Sequence, residues 1–213
     1  MFTIETFTFN PFQENTYILY NEKGHALIID PGTYFPPEQQ ALKDFMLRRG
    51  LLPSGLINTH CHLDHVFGNK WVAEAYNLTP QIHPVEEELH TMSAVFAHQY
   101  GLEFNLYKGD FIYLQEGDNV MLDEDRLEAI LVPGHSPGSL AFYCKAQNFV
   151  ISGDALFLES IGRTDLPGGD HGQLLHSIKE KLFNLPAETV VYPGHGPRTT
   201  IGHERNNNPF VQP

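Results

Sequence analysis

The chain has 213 residues, with 26 acidic against 13 basic side chains and a formal net charge of −13. That balance argues against nucleic acid or an anionic membrane as partner, since both need clustered Lys and Arg. With 41% hydrophobic and 12% aromatic residues, two cysteines and no apolar run near the ~20 residues that span a bilayer, the composition excludes disorder, a disulfide framework and a helical membrane protein. Met1-Phe2-Thr3-Ile4-Glu5 lacks a signal-peptide pattern, so a cytoplasmic protein is expected. The composition leaves its twelve histidines unexplained.

In chain order, Thr3–Phe9 alternates polar and apolar, Thr16–Tyr20 is β-branched and aromatic, and Ala26–Ile29 runs into the turn Asp30-Pro31-Gly32. All three read as strands. Pro37 to Arg49 reads as a helix, with Pro37 in its first turn and Gly50 as its stop. Leu56–Thr59 is a strand, and helices are expected over 64–76 and 85–99. Glu86, Glu87 and Glu88 suit the positive end of the latter helix. Strands return at 111–114, 119–122, 126–132, 139–144 and 149–152. A glycine-rich loop at 162–172, an amphipathic helix over 173–183, a strand at 189–192 and a short helix near Ile201 follow. This order favours an α/β layered domain, with no linker dividing residues 1–213.

Thr59-His60-Cys61-His62-Leu63-Asp64-His65 packs four metal-competent side chains into six residues. On an extended backbone His60 and His62 point the same way and can face one ion. Asp64 and His65, at the start of a helix, can turn toward a second. One lone histidine is most often an ordinary surface or core residue, but packing does not explain this density. Three further ligand-type residues share a context. His135, Asp154 and His195 each follow an apolar strand and sit among Gly, Pro or both. Such turns on rigid strands present side chains to a common site.

His60-x-His62-x-Asp64-His65, with His135, Asp154 and His195, resembles the metallo-β-lactamase superfamily, and Asp30 matches its first motif. The resemblance implies a four-layer αβ/βα sandwich. Gly153-Asp154-Ala155-Leu156-Phe157, Gly162-Arg163-Thr164-Asp165, Tyr192-Pro193-Gly194-His195-Gly196-Pro197 and the ending 202–210 resemble the short bacterial form of the glyoxalase II (hydroxyacylglutathione hydrolase) branch. By this resemblance one metal takes His60, His62 and His135, a second takes Asp64, His65 and His195, and Asp154 bridges them. Asp30 supports the ligands from behind. Two divalent metal ions are implied, zinc first, with iron or manganese also admitted by an all-nitrogen and oxygen set.

The chemistry implied is hydrolysis of a hydroxyacylglutathione-type thioester, S-lactoylglutathione above all, by a metal-bridging hydroxide. Asp64 and Asp154 are the catalytic carboxylates. Arg163 stands where longer relatives carry a glutathione-binding lysine, and is the candidate substrate contact. The eighteen residues after His195 leave no room for the helical C-terminal domain of those relatives. Two alternatives remain open: a mononuclear iron persulfide dioxygenase using His60, His135 and Asp154, and a non-catalytic metal-binding module. Cys61 is expected to pack away from the ions, and His171 to lie near the site mouth.

Overall fold

The computed structural model describes residues 1–211. The first half of the chain builds one six-stranded sheet from β1 (Thr3–Phe9), β2 (Glu14–Tyr20), β3 (His25–Ile29), β4 (Leu52–Ile57), β5 (Pro80–Ile82) and β6 (Ile112–Tyr113), in that spatial order. β1 to β3 pair antiparallel and β3 to β6 parallel. The parallel pairs need crossovers, supplied in part by α1 (Pro36–Arg49), α2 (Leu63–Val66), α3 (Asn69–Tyr76) and α4 (Glu86–Gln99).

The second half supplies β7 (Asn119–Leu122), β8 (Asp125–Leu131), β9 (Leu140–Cys144), β10 (Phe149–Gly153), β11 (Leu156–Phe157), β12 (Ser160–Ile161), β13 (Val190–Pro193) and β14 (Thr199–Thr200), with α5 (His171–Glu180) and α6 (Ile201–Asn207). Six of these strands form a second sheet in the order β14-β13-β10-β9-β8-β7, and β11 and β12 form a hairpin of their own. β10 and β13 run parallel, so the loops after both open at the same end of the sheet.

Strand alternation divides the apolar residues among the layers. On β9, Leu140, Phe142 and Cys144 face the other sheet, where they meet Tyr17, Leu19, Leu27 and Ile29. Ala141 and Tyr143 face outward onto Leu174 and Ile178 of α5. On β3, Ala26 and Ile28 face Leu42, Phe45 and Met46 of α1. Central strands buried on both faces therefore read as unbroken apolar runs. The result is helix, sheet, sheet, helix: the expected four-layer sandwich. Among the described residues no helix is long and apolar enough to cross a membrane.

Four expectations change. The helix expected over 64–76 is two helices, because the Gly68 N–H donates to the Pro31 carbonyl (2.7 Å) instead of continuing the first helix. β2 begins at Glu14, earlier than the alternation indicates, because its first residues pair with the β1 end and with the loop around His195. The β11–β12 hairpin and β5 have no counterpart in the expected elements: strands of two or three residues are too short to show a period. α5 begins at His171, where the Asp170 side chain accepts the Gln173 N–H (2.8 Å) as an N-cap.

Candidate metal centre

All seven expected ligand residues meet at one edge of the sandwich. His60 and His62 follow β4, and Asp64 and His65 lie in the first turn of α2. Asp154 follows β10 and His195 follows β13. His135 stands in the turn between β8 and β9. Ring nitrogens of His60, His62 and His135 lie within 4.8 Å of one another, as do ligand atoms of Asp64, His65 and His195. Asp154 stands between the groups. Its Oδ2 is 3.4 Å from His135 Nε2 and 3.5 Å from His195 Nε2, and its Oδ1 is 3.4 Å from His65 Nε2.

The outward nitrogens are tied down. Asp30, at a left-handed φ of 49°, accepts the Thr59 N–H (2.7 Å) on one oxygen. Its other oxygen accepts the Thr59 hydroxyl (2.6 Å) and lies 3.0 Å from His65 Nδ1. Thr59 Oγ1 in turn lies 3.0 Å from His60 Nδ1. His135 Nδ1 faces the Arg163 carbonyl (2.7 Å) and His195 Nδ1 the Gln13 carbonyl (3.2 Å). Each carbonyl or carboxylate accepts an Nδ1–H and leaves the Nε2 lone pair facing inward, as metal-binding histidines require. Asp30, His60 and His65 form a third close group, but both Asp30 oxygens are spent on these donors.

Two inward atoms, His65 Nε2 and Asp154 Oδ1, are buried without a hydrogen bond. His62 turns its Nδ1 inward, 2.8 Å from His135 Nε2. His60 Nε2 and His135 Nε2 stand 3.2 Å apart. With both tautomers set by their outer partners, two lone pairs face each other there, which is repulsive unless a cation lies between them. Burial, reinforced by neighbouring imidazoles, holds His60 well below the usual imidazole range, lowers His135 and takes His62 to about 3. These three are therefore neutral donors at physiological pH. Burial opposes charge on His65 and His195 too, but Asp154 and Asp64 outweigh it and raise both. Burial likewise opposes ionisation of Asp64 and Asp154, and the imidazoles, His65 first, reverse it and lower both. The donor set fits two divalent cations.

Glycine is needed where backbone passes the ligands. A Cβ on Gly194 would strike Asp154 Oδ1 and His65 Cε1, and one on Gly162 would strike the Asp154 carbonyl and the His135 ring. The His195 loop is latched to the opposite sheet. Asn15 donates its amide N–H to Gly194 (2.7 Å) and its side-chain amide to Pro193 and Gly196, and Tyr17 donates its hydroxyl to Pro193 (2.6 Å).

Glu86 escapes sequence reasoning. It is fully buried, and one oxygen accepts the Cys61 N–H (2.8 Å) while the other accepts the Ser136 hydroxyl and the Gly138 N–H (both 2.7 Å). One carboxylate thus joins the loop of His60 and His62 to the loop of His135. Its only local signal is an acidic triplet at a helix start, which reads equally as a solvated first turn. Cys61 packs on Val66, Ile82 and Leu89, away from the ligands, as expected. Arg163 stands in the wall of the cavity above the ligands, where a substrate contact is expected; its guanidinium pairs with Asp165 (2.7 and 2.8 Å) and its carbonyl faces His135 Nδ1. One expectation does not match: His171 opens α5 and does not line the cavity.

That cavity, about 420 Å³, has His62, Asp64, His135, Asp154 and His195 in its wall. Grouped imidazoles and carboxylates at an open pocket, on the ends of strands from both sheets, define a metal-dependent hydrolase of this sandwich fold. Residues 9–195 match the Metallo-beta-lactamase superfamily, and the chain belongs to it. It is 37% identical over 204 residues to the probable metallo-hydrolase YqgX of Bacillus subtilis, covering 94% of this chain and 93% of that one. It is 32% identical over 212 residues to the hydroxyacylglutathione hydrolase GloC of Haemophilus influenzae, covering 98% and 97%. Among solved structures it is similar to the BLEG-1 B3 metallo-beta-lactamase, with TM-score 0.90, 34% identity and 99% and 100% coverage. TTHA1623 in a di-iron-bound form gives TM-score 0.86, 39% identity and 97% and 99% coverage.

Proposed function

We propose that this metallo-hydrolase is a thioesterase that cleaves hydroxyacylglutathione-type thioesters at a two-metal site. The observation that carries this reading is Asp154, whose two oxygens stand between the three-histidine group and the Asp64, His65 and His195 group. A carboxylate so placed suits a bridge. The likeness to GloC over nearly both chains supports the substrate class. Zinc is the first expectation and iron the next, since the donors are nitrogen and oxygen alone and TTHA1623 holds two irons.

Divalent cations in this site supply a Lewis acid and an ionised water at neutral pH. The protein's own part is positioning. His60, His62 and His135, kept neutral by burial, offer lone pairs without first losing a proton. Asp64, less buried than its neighbours and lining the cavity, is placed to accept a proton from the attacking water. The water oxygen adds to the thioester carbon, the C–S bond breaks, and the sulfur leaves and takes up a proton. The products are a carboxylate and a thiol, and the easily expelled thiolate needs no dedicated acid.

Metal analysis of purified protein beside hydrolysis of S-lactoylglutathione tests the reading. About two metals per chain are expected, with loss of at least a hundredfold in kcat/KM for Asp64→Ala. Wild-type hydrolysis by that variant, or one iron per chain with oxygen uptake on glutathione persulfide, sinks it.

A further inference from the structure

We propose that the site takes apolar acyl chains, seated against Phe12 and Tyr100, in preference to short hydroxyacyl groups; this rests on the thioesterase reading above for cleavage of the thioester, not for the acyl group. The cavity has two unlike parts. Its floor is the ligand group, and its flanks are aromatic and aliphatic. The flanks carry Phe12, Phe96, Tyr100, Phe157, Ile161 and Leu166.

Phe12 is built into the site. Its ring meets Tyr100 edge to face at 5.6 Å and stacks near Phe67 at 6.4 Å. Its N–H donates to the Asn10 side chain (2.9 Å), and the next residue, Gln13, turns at a φ of 59° so that its carbonyl faces His195 Nδ1. One turn therefore fixes both a candidate metal ligand and the aromatic flank, and the distance between them is set by backbone. Phe12 and Tyr100 nonetheless remain 38% and 58% exposed. Exposed rings beside a polar floor gain from covering by an apolar group.

Charge decides which half of a thioester lies there. Arg163 is the lone Lys or Arg in the described lining, and Asp165 already holds its guanidinium. A glutathione moiety, with two carboxylates and an ammonium, finds no matching set of charges on these flanks. It faces solvent, and the acyl group enters the slot.

The test uses one thiol, glutathione, carrying acetyl, propanoyl, butanoyl, pentanoyl and glutaryl groups. We expect kcat/KM to rise about two- to fourfold per added methylene, pentanoyl to exceed glutaryl of equal length at least tenfold, and Phe12→Ala and Tyr100→Ala each to flatten the series. A flat wild-type series overturns the proposal, as does glutaryl matching pentanoyl, which would mean that Arg163 selects an anion. In either case cleavage itself keeps the thioesterase reading intact. If no thioester is cleaved, that reading falls alone, and calorimetric binding of the ketone analogues, with CH2 in place of sulfur, decides the slot. Affinity that rises with chain length and loses that rise in Phe12→Ala supports it; affinity independent of chain length overturns it.

Discussion

Asp30 Oδ2 lies 3.0 Å from Nδ1 of His65, and both residues are closed to solvent. The same oxygen accepts the Thr59 hydroxyl, so it is an acceptor for two donors at once. Asp30→Asn places an amide N–H2 among these donors or turns it onto the Thr59 N–H. In the first case His65 must move its proton to Nε2, the atom that faces the candidate metal. A loss of ten- to a hundredfold in metal affinity is expected, as for other partners that orient ligating histidines. Competition with a chromophoric chelator measures it, and unchanged affinity would refute the role assigned to Asp30.

Glu86 spans the two loops that carry His60, His62 and His135. Glu86→Ala strands the buried N–H groups of Cys61 and Gly138, at about 1–3 kcal/mol each where water does not replace the carboxylate, while the Ser136 hydroxyl can turn to Ser139 (2.7 Å). A total loss of about 2 kcal/mol or more in urea unfolding of chelator-treated protein is expected. Glu86→Gln, which keeps one strong acceptor, should lose less than half of that. Stability within 0.5 kcal/mol of wild type for the alanine variant would show that the bracket does not matter.

His90, outside the ligand set, supplies an acid-sensitive element. It is buried beside Phe111, with rings 5.0 Å apart, and its Nε2 has no partner. Burial lowers its pKa to about 4, against a small opposing pull from Glu87. A depressed histidine binds its proton more readily unfolded, at the ordinary ~6.5, than folded. Its neutral form therefore favours folding fully above pH ~6.5, and that contribution is lost as pH falls toward 4. His90→Phe should lack this loss and gain about 2 kcal/mol on wild type between pH 8 and pH 5. Parallel urea curves at the two pH values check it, and an equal difference between the proteins at both would contradict it.

Arg163 and Gly162 act through backbone. His135 Nδ1 is held by the Arg163 carbonyl, which survives any substitution at that position. Arg163→Ala should keep wild-type metal content in elemental analysis. Gly162→Ala pushes a Cβ into the Asp154 carbonyl and the His135 ring, and should lose metal or fail to fold. The reverse order of effects would mean that the Arg163 side chain, not its backbone, supports the site.

The ligand residues were legible because each carries a local signature. His60, His62, Asp64 and His65 crowd a single segment, and Asp154 and His195 follow apolar strands directly. The anchoring residues carry none. Glu86 and Ser136 are 50 positions apart, Asn15 and Pro193 are 178 apart, and neither pair leaves a period or a spacing to find. The motif position of Arg163 gives no sign that its guanidinium pairs with Asp165 two positions away. The helix expected over 64–76 broke at Gly68 for a similar reason, since the Pro31 carbonyl that takes its N–H belongs to a distant turn.

By itself the sequence determined the layers and the donor atoms. Alternation buries β9 on both faces, turn residues close the strands, and the histidine cluster names its own chemistry. Only the tertiary structure decided that Asp154 stands between two groups, that Asp30 and Glu86 hold the ligand loops, and that Phe12 faces the same cavity as His195. Periodicity and turn propensity act over a few residues, whereas these contacts exist once two sheets have packed and brought their strand ends to one edge.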